Sequence, residues 1–263
     1  MSAPIPSTST AASTAQPNAS GSGAAPFWTA VLAQTRAELL MTLRRGESLL
    51  ITIFIPVVLL IFFSSLKIGG VGVNFLVPGV MALALMSTGM VSLSIATGYE
   101  RYYGVLKRLG ASPLSRGGLI LAKTLSVLAL EIAQTALLAL LAFFFFDWRP
   151  TGSLLLFIVA FLLGTATFSG MGMLMAGALR AEATLAGANG LYLLFVLIGG
   201  TVLPISALPG FLQPVAYALP AAALSDALYG ATNTGAFHAW SLLSLIAWGV
   251  VFFVVAAFTF KWE

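Results

Sequence analysis

Six apolar stretches, at about 48–66, 75–97, 119–146, 153–179, 183–203 and 239–260, leave this chain little choice of solvent. Each is close to the roughly 20 residues that a helix needs to cross the hydrocarbon core of a bilayer. Inside a bilayer every backbone N–H and C=O must be satisfied within the protein, so stretches of this length become helices. Composition points the same way: 59% of the 263 residues are hydrophobic and 8% are charged, where a soluble domain carries about 25% charged residues. The sequence therefore predicts an all-α membrane protein with six transmembrane helices, forming one membrane domain over 27–263. It contains no cysteine, which excludes disulfides, thiolate nucleophiles and thiolate metal sites.

The segments around these runs have distinct characters. Residues 1–26 are dominated by Ser, Thr, Ala, Pro and Gly and carry no charge, the composition of a disordered cytoplasmic leader. In 27–47, Phe27, Val31, Leu39 and Leu40 recur at near-helical spacing between Arg36, Glu38, Arg44, Arg45 and Glu47. That pattern suits either an amphipathic helix in the membrane surface or an extension of the first span. Arginine and lysine divide unevenly between the loops. Arg36, Arg44, Arg45, Arg101, Lys107, Arg108, Arg116, Lys123, Arg180 and Lys261 fall on one side, and Lys67 and Arg149 on the other. The positive-inside rule then places both termini in the cytoplasm of a multi-pass plasma-membrane protein. The net charge of +4 is thereby read as a topology signal, not as a nucleic-acid surface.

Between the last two spans, residues 204–238 hold Pro204, Pro209, Pro214 and Pro220 yet stay apolar through Leu208, Phe211, Leu212, Val215, Leu219 and Leu224. Prolines at this spacing break a continuous span, and the apolar content predicts short re-entrant helices in the outer leaflet. Asp226 is the one charge in that stretch.

The polar island at 98–117 interrupts the second and third runs. It carries Glu100, Arg101, Lys107, Arg108 and Arg116, and it reads as a segment taking mechanical input from a cytoplasmic partner. Here Glu100-Arg101 is followed by Gly104, Leu106-Lys107-Arg108-Leu109 and Pro113-Leu114-Ser115. After the fifth run come Leu208-Pro209, Phe211-Leu212-Gln213, Pro220 and Asp226-Ala227. Together these resemble the permease subunit of type-2 ABC transporters, the class that includes antibiotic-resistance exporters, over roughly 30–260. Tyr102-Tyr103 and Gly230 depart from the pattern, since members often carry polar or acidic residues at the first place and an arginine near the second. The resemblance implies a coupling helix at the island, formed by Glu100, Arg101, Gly104, Leu106, Lys107, Arg108, Leu109, Pro113 and Leu114, seated in a cleft of a separate ATP-binding subunit. It implies two copies of that subunit, which hold ATP and Mg, and a second permease, identical or homologous. It also implies an external gate segment at Pro209, Phe211, Leu212, Pro220 and Asp226. The expected function is ATP-driven export of an amphipathic, drug-like or lipid-like substrate, with no cofactor bound by this chain.

Other chemistry is thin. Gly117 to Thr124 comes one glycine short of a phosphate-binding loop and opens an apolar span, where such a loop cannot work; no ATPase is expected in the chain. Glu131 is an acid deep in a run, with Gln134 three residues on. An ionisable group at mid-bilayer costs about 2.5–3.5 kcal/mol on insertion scales. Glu131 and Gln134, with Ser87 and Ser92, are candidates for a substrate path or for helix contacts. The alternative function is a proton-coupled secondary carrier using Glu131. His238 has no partners for a metal site and is expected to pack at an interface. No Ser/His/Asp arrangement suggests a hydrolase.

Overall fold

The computed structural model describes residues 26–44, 46–66, 72–110 and 114–259. Most of the expected leader, together with Arg45, Lys67, Pro113 and Lys261, lies outside the described residues. Among the described residues the chain is helical throughout, without strands. The elements are α1 (Phe27–Arg44), α2 (Gly46–Leu66), α3 (Val73–Met86), a π-helical turn (Ser87–Ser92), α4 (Leu93–Tyr102), α5 (Val105–Gly110), α6 (Arg116–Phe146), α7 (Leu154–Ala178), α8 (Ala181–Ile198), α9 (Gln213–Ala218), α10 (Pro220–Tyr229), a second π-helical turn (Gly230–Thr234) and α11 (Ala239–Thr259). Among the described residues, five helices are long and apolar enough to cross a membrane: α3 running through the π turn into α4, then α6, α7, α8 and α11. α2 is strongly apolar as well and carries Pro56 inside the helix.

Local chemistry sets the ends of these helices. The Ser115 hydroxyl accepts from Gly118 N at 3.1 Å and starts α6, and Ser153 does the same for α7 through Leu156 N at 3.4 Å, both ordinary N-caps. Asp147 closes α6 in the left-handed region, with φ 51, and Trp148 N–H then reaches back to Ala142 O at 3.1 Å. A left-handed residue at this place reverses the chain over the last carbonyls, with Asp where Gly is commoner.

The Val73–Tyr102 helix is the centre of the bundle: 83% of its apolar window is buried, against 44% or less for the other four spans. Small residues let neighbours close on it. A Cβ added at Gly79 would lie 1.8 Å from Thr201 O, and one at Gly172 on α7 would lie 2.6 Å from Gly89 O. Backbone therefore meets backbone at both places, which is how lipid-embedded helices gain packing without a hydrophobic drive between them. The outer surfaces of the peripheral helices are apolar instead, with Phe144, Leu154, Leu197 and Phe258 strongly exposed.

The 204–238 segment forms short helices. Pro214 and Pro220 occupy the first turns of α9 and α10, where a missing N–H costs nothing and the fixed φ favours the helix. They begin helices here. Most of α10 is buried, including Ala221, Ala222, Ala223 and Leu224, because alanines let it sit between α3, α7 and α11. The end of the bundle away from α5 is tied by backbone bonds, Gly152 N to Thr232 O at 2.9 Å and Ser153 N to Ala231 O at 2.8 Å.

These contacts make a paired prediction. Gly79→Ala should destabilise the protein by about 1–3 kcal/mol through overpacking. Gly190→Ala, on a helix face with nothing within 4 Å, should be neutral or slightly stabilising. Thermal unfolding in detergent checks both.

Candidate functional site

The polar island is the end of α4, a turn, and the short helix α5. Gly104 takes φ +71 in the turn, a conformation that side-chain-bearing residues avoid, so α5 leaves α4 at a fixed angle. Glu100 and Arg101 lie in the last turn of α4 and face different neighbours. Lys123 of α6 lies 2.6 Å from Glu100 Oε2 and 2.8 Å from Glu38 Oε1 of α1. Gln34 Nε2 donates to Glu38 Oε1 at 2.8 Å. All three ions are buried. Arg101 donates from its two terminal nitrogens to Gly177 O and Leu179 O, the carbonyls that end α7 before α8 begins. Cations suit a helix C-terminus, where the carbonyls have no partners in the helix. Two consecutive residues thus tie the base of α5 to α1 and α6 on one side and to the α7–α8 turn on the other.

Several expectations are corrected by this arrangement. Lys123 is a buried ion partner inside a span, not a loop residue marking topology. Glu100 and Arg101 are spent on contacts within the chain. Leu106 is wholly buried and Leu114 nearly so, in a cluster with Val31, Leu93, Leu119 and Met173, so both fill the protein's own core. Leu109 is half-buried. The outward surface consists of Tyr102, Tyr103, Val105, Lys107 and Arg108. Glu38 was missed by sequence reasoning. The available signal was Lys123 itself: a lysine within an apolar run calls for a carboxylate partner.

Above the ion cluster a cavity of about 230 Å³ runs between α1, α2, α4 and α6. Glu38, Lys123 and Ser126 line it, along with Thr52, Thr88, Ser92 and Gln134. Gln134 accepts from Thr88 Oγ1 at 2.8 Å and donates to the Thr52 carbonyl at 3.1 Å. Ser92 Oγ is 3.5 Å from Thr52 Oγ1, and Ser87 is half-buried. Glu131 faces elsewhere. Fully buried, it accepts from Thr165 Oγ1 on α7 through Oε2. Its Oε1 has no hydrogen-bond partner among the described residues, and a Cβ at Gly89 would come within 3.1 Å of it. Glu131 and Gln134 therefore flank the π turn on different sides and do not form one site. A larger apolar cavity, about 570 Å³, lies between α6 and α7, with Ile132, Thr135, Trp148, Phe157 and Phe161 in its wall.

The residues of the 204–238 segment are also dispersed. Pro209 and Phe211 are exposed, Leu212 is half-buried, Pro220 is buried, and Asp226 faces His238, whose Nδ1 is 3.0 Å from both carboxylate oxygens. That polar contact goes beyond the plain packing expected of His238.

Compared with known proteins, the chain matches the family model described as ABC-2 type transporter over residues 29–233. No curated protein matches it.

The ion cluster carries the second prediction. Lys123→Met leaves two buried carboxylates facing each other and should cost about 3–5 kcal/mol, the scale of breaking a buried pair from one side. Glu38→Gln leaves one lysine with one glutamate and should cost clearly less. Melting temperatures of the two purified variants give the order, and equal losses would contradict it.

Proposed function

The chain belongs to the ABC-2 type transporter family and is a membrane transport subunit of an ABC transporter; on that premise we propose that it is the membrane half of an ATP-driven exporter worked through α5. Family membership implies partnership with an ATP-binding cassette subunit. In this reading two such subunits hold ATP and Mg beneath two permeases, this chain and an identical or homologous one. Six spans are formed by α2, α3 with α4, α6, α7, α8 and α11, with α1 lying along the membrane surface. Both termini are cytoplasmic.

The observation that carries the proposal is the placement of Glu100 and Arg101. A push on α5 reaches α6 through the Glu100–Lys123 pair, α1 through the bond of that same lysine to Glu38, and the α7–α8 turn through Arg101. Buried ion pairs do not stretch gradually, since separating them exposes uncompensated charge. Movement of α5 is therefore passed on as rigid-body displacement of whole helices. The surface offered to the partner is the exposed row Tyr102, Tyr103, Lys107 and Arg108; tyrosine and arginine are enriched at interface cores, and Lys107 adds positive charge.

An amphipathic, drug-like or lipid-like substrate moving outward from the cytoplasm or inner leaflet suits this chain. The large cavity between α6 and α7 is walled mainly by apolar side chains. Pro209, Phe211, Leu212, Pro220 and Asp226 would then border the outer gate. The carrier alternative turning on Glu131 draws no support from the family and is not favoured.

Charge reversal of the outward face tests the reading. Lys107→Glu with Arg108→Glu should weaken capture of the ATP-binding subunit about tenfold or more, with the melting temperature little changed because both side chains are exposed. Undiminished capture, with ATPase still responding to the permease, would refute docking through α5.

A further inference from the structure

The end of the bundle opposite α5 carries a separate pocket of about 310 Å³. Its wall includes Phe75 from the first turn of α3, Tyr217 of α9, Asp226 and Tyr229 of α10, and Trp240 of α11. The rings stand in two pairs. Phe75 and Tyr229 have centroids 5.9 Å apart, and Tyr217 meets Trp240 edge to face at 5.4 Å. Asp226 and Tyr229 are three residues apart on α10 and so share one face of that helix. Asp226 is the one charged side chain in the lining, mostly buried at 23% exposure. Ser225 Oγ bonds Gly200 O at 2.7 Å and holds α10 against the loop after α8. His238 contacts Asp226 but does not line the pocket, and its side chain is 70% exposed.

We propose that this pocket binds a quaternary or alkylammonium group. Aromatic faces carry negative potential and attract a cation whose charge is spread over methyl groups. A carboxylate among the rings fixes the sign of the guest. A small metal ion would require several oxygen ligands, and the wall offers one carboxylate. Aromatic residues also collect at membrane surfaces as a girdle, but a girdle has no need of a half-buried acid between its rings. The volume is at the lower end of ligand pockets, roughly 300–1,000 Å³, as suits a head group. The site stands independently of the export reading, because binding is measured without transport.

The test uses the full chain in phosphatidylglycerol nanodiscs, with choline as ligand and 3,3-dimethyl-1-butanol as its uncharged analogue, followed by calorimetry. Saturable choline binding is expected, with no binding of the neutral analogue. Asp226→Asn and Trp240→Leu should each weaken choline about tenfold or more, while His238→Gln should not. Equal binding of the two ligands, or choline affinity unchanged in both wall variants, would overturn the assignment. So would a His238→Gln loss as large as that of Asp226→Asn. Repeating the titration in phosphatidylcholine discs separates the sources: weaker apparent choline affinity identifies a lipid head group as the occupant, and unchanged affinity identifies a free solute.

Discussion

The contact of Lys123 with Glu38 and Glu100 is the constraint around which the α5 half of this bundle is arranged. Three ionisable groups taken from water must be mutually satisfied, since each alone would be costly in a low-dielectric interior. Their separation in sequence means that α1, α4 and α6 can satisfy them in one relative placement only. Thr35 Oγ1 on α1 adds a bond to Ala122 O at 3.3 Å, beside the lysine, and Val31 is completely buried at the same contact. The cluster fixes which helix faces meet; the apolar packing around it supplies most of the cohesion.

That constraint gives α5 its meaning. A six-residue helix has little intrinsic stability, and this one is held by Leu106 beneath it and by the glycine turn before it. Tyr102, Tyr103, Lys107 and Arg108 are exposed on the opposite side. Inward residues thus set the position of α5, and the exposed ones make up its surface.

Much of the architecture was legible in the apolar runs, because period and length decide where a helix can sit in lipid. The run read as 119–146 is α6 from Arg116 to Phe146, and that read as 153–179 is α7 from Leu154 to Ala178. The run read as 48–66 is α2 from Gly46 to Leu66. Glu100-Arg101 could be singled out from the sequence, but their partners could not, since pairing with residues 123, 177 and 179 depends on tertiary placement. Leu106 was read as facing outward because two turns of helix give too few residues to define a face. Prolines in 204–238 were weighed as breakers, whereas their effect depends on position within a helix: at the start of α10, Pro220 is an initiator.

The backbone stitches at Gly152–Thr232 and Ser153–Ala231 have a mechanical consequence. Main-chain bonds have no rotamers to yield, and Gly79 lies flush against the Thr201 carbonyl nearby. This end of the molecule behaves as a fulcrum. Under the proposed coupling, force applied at the α5 end would swing the helices through an arc instead of sliding them, with the widest excursion near α5.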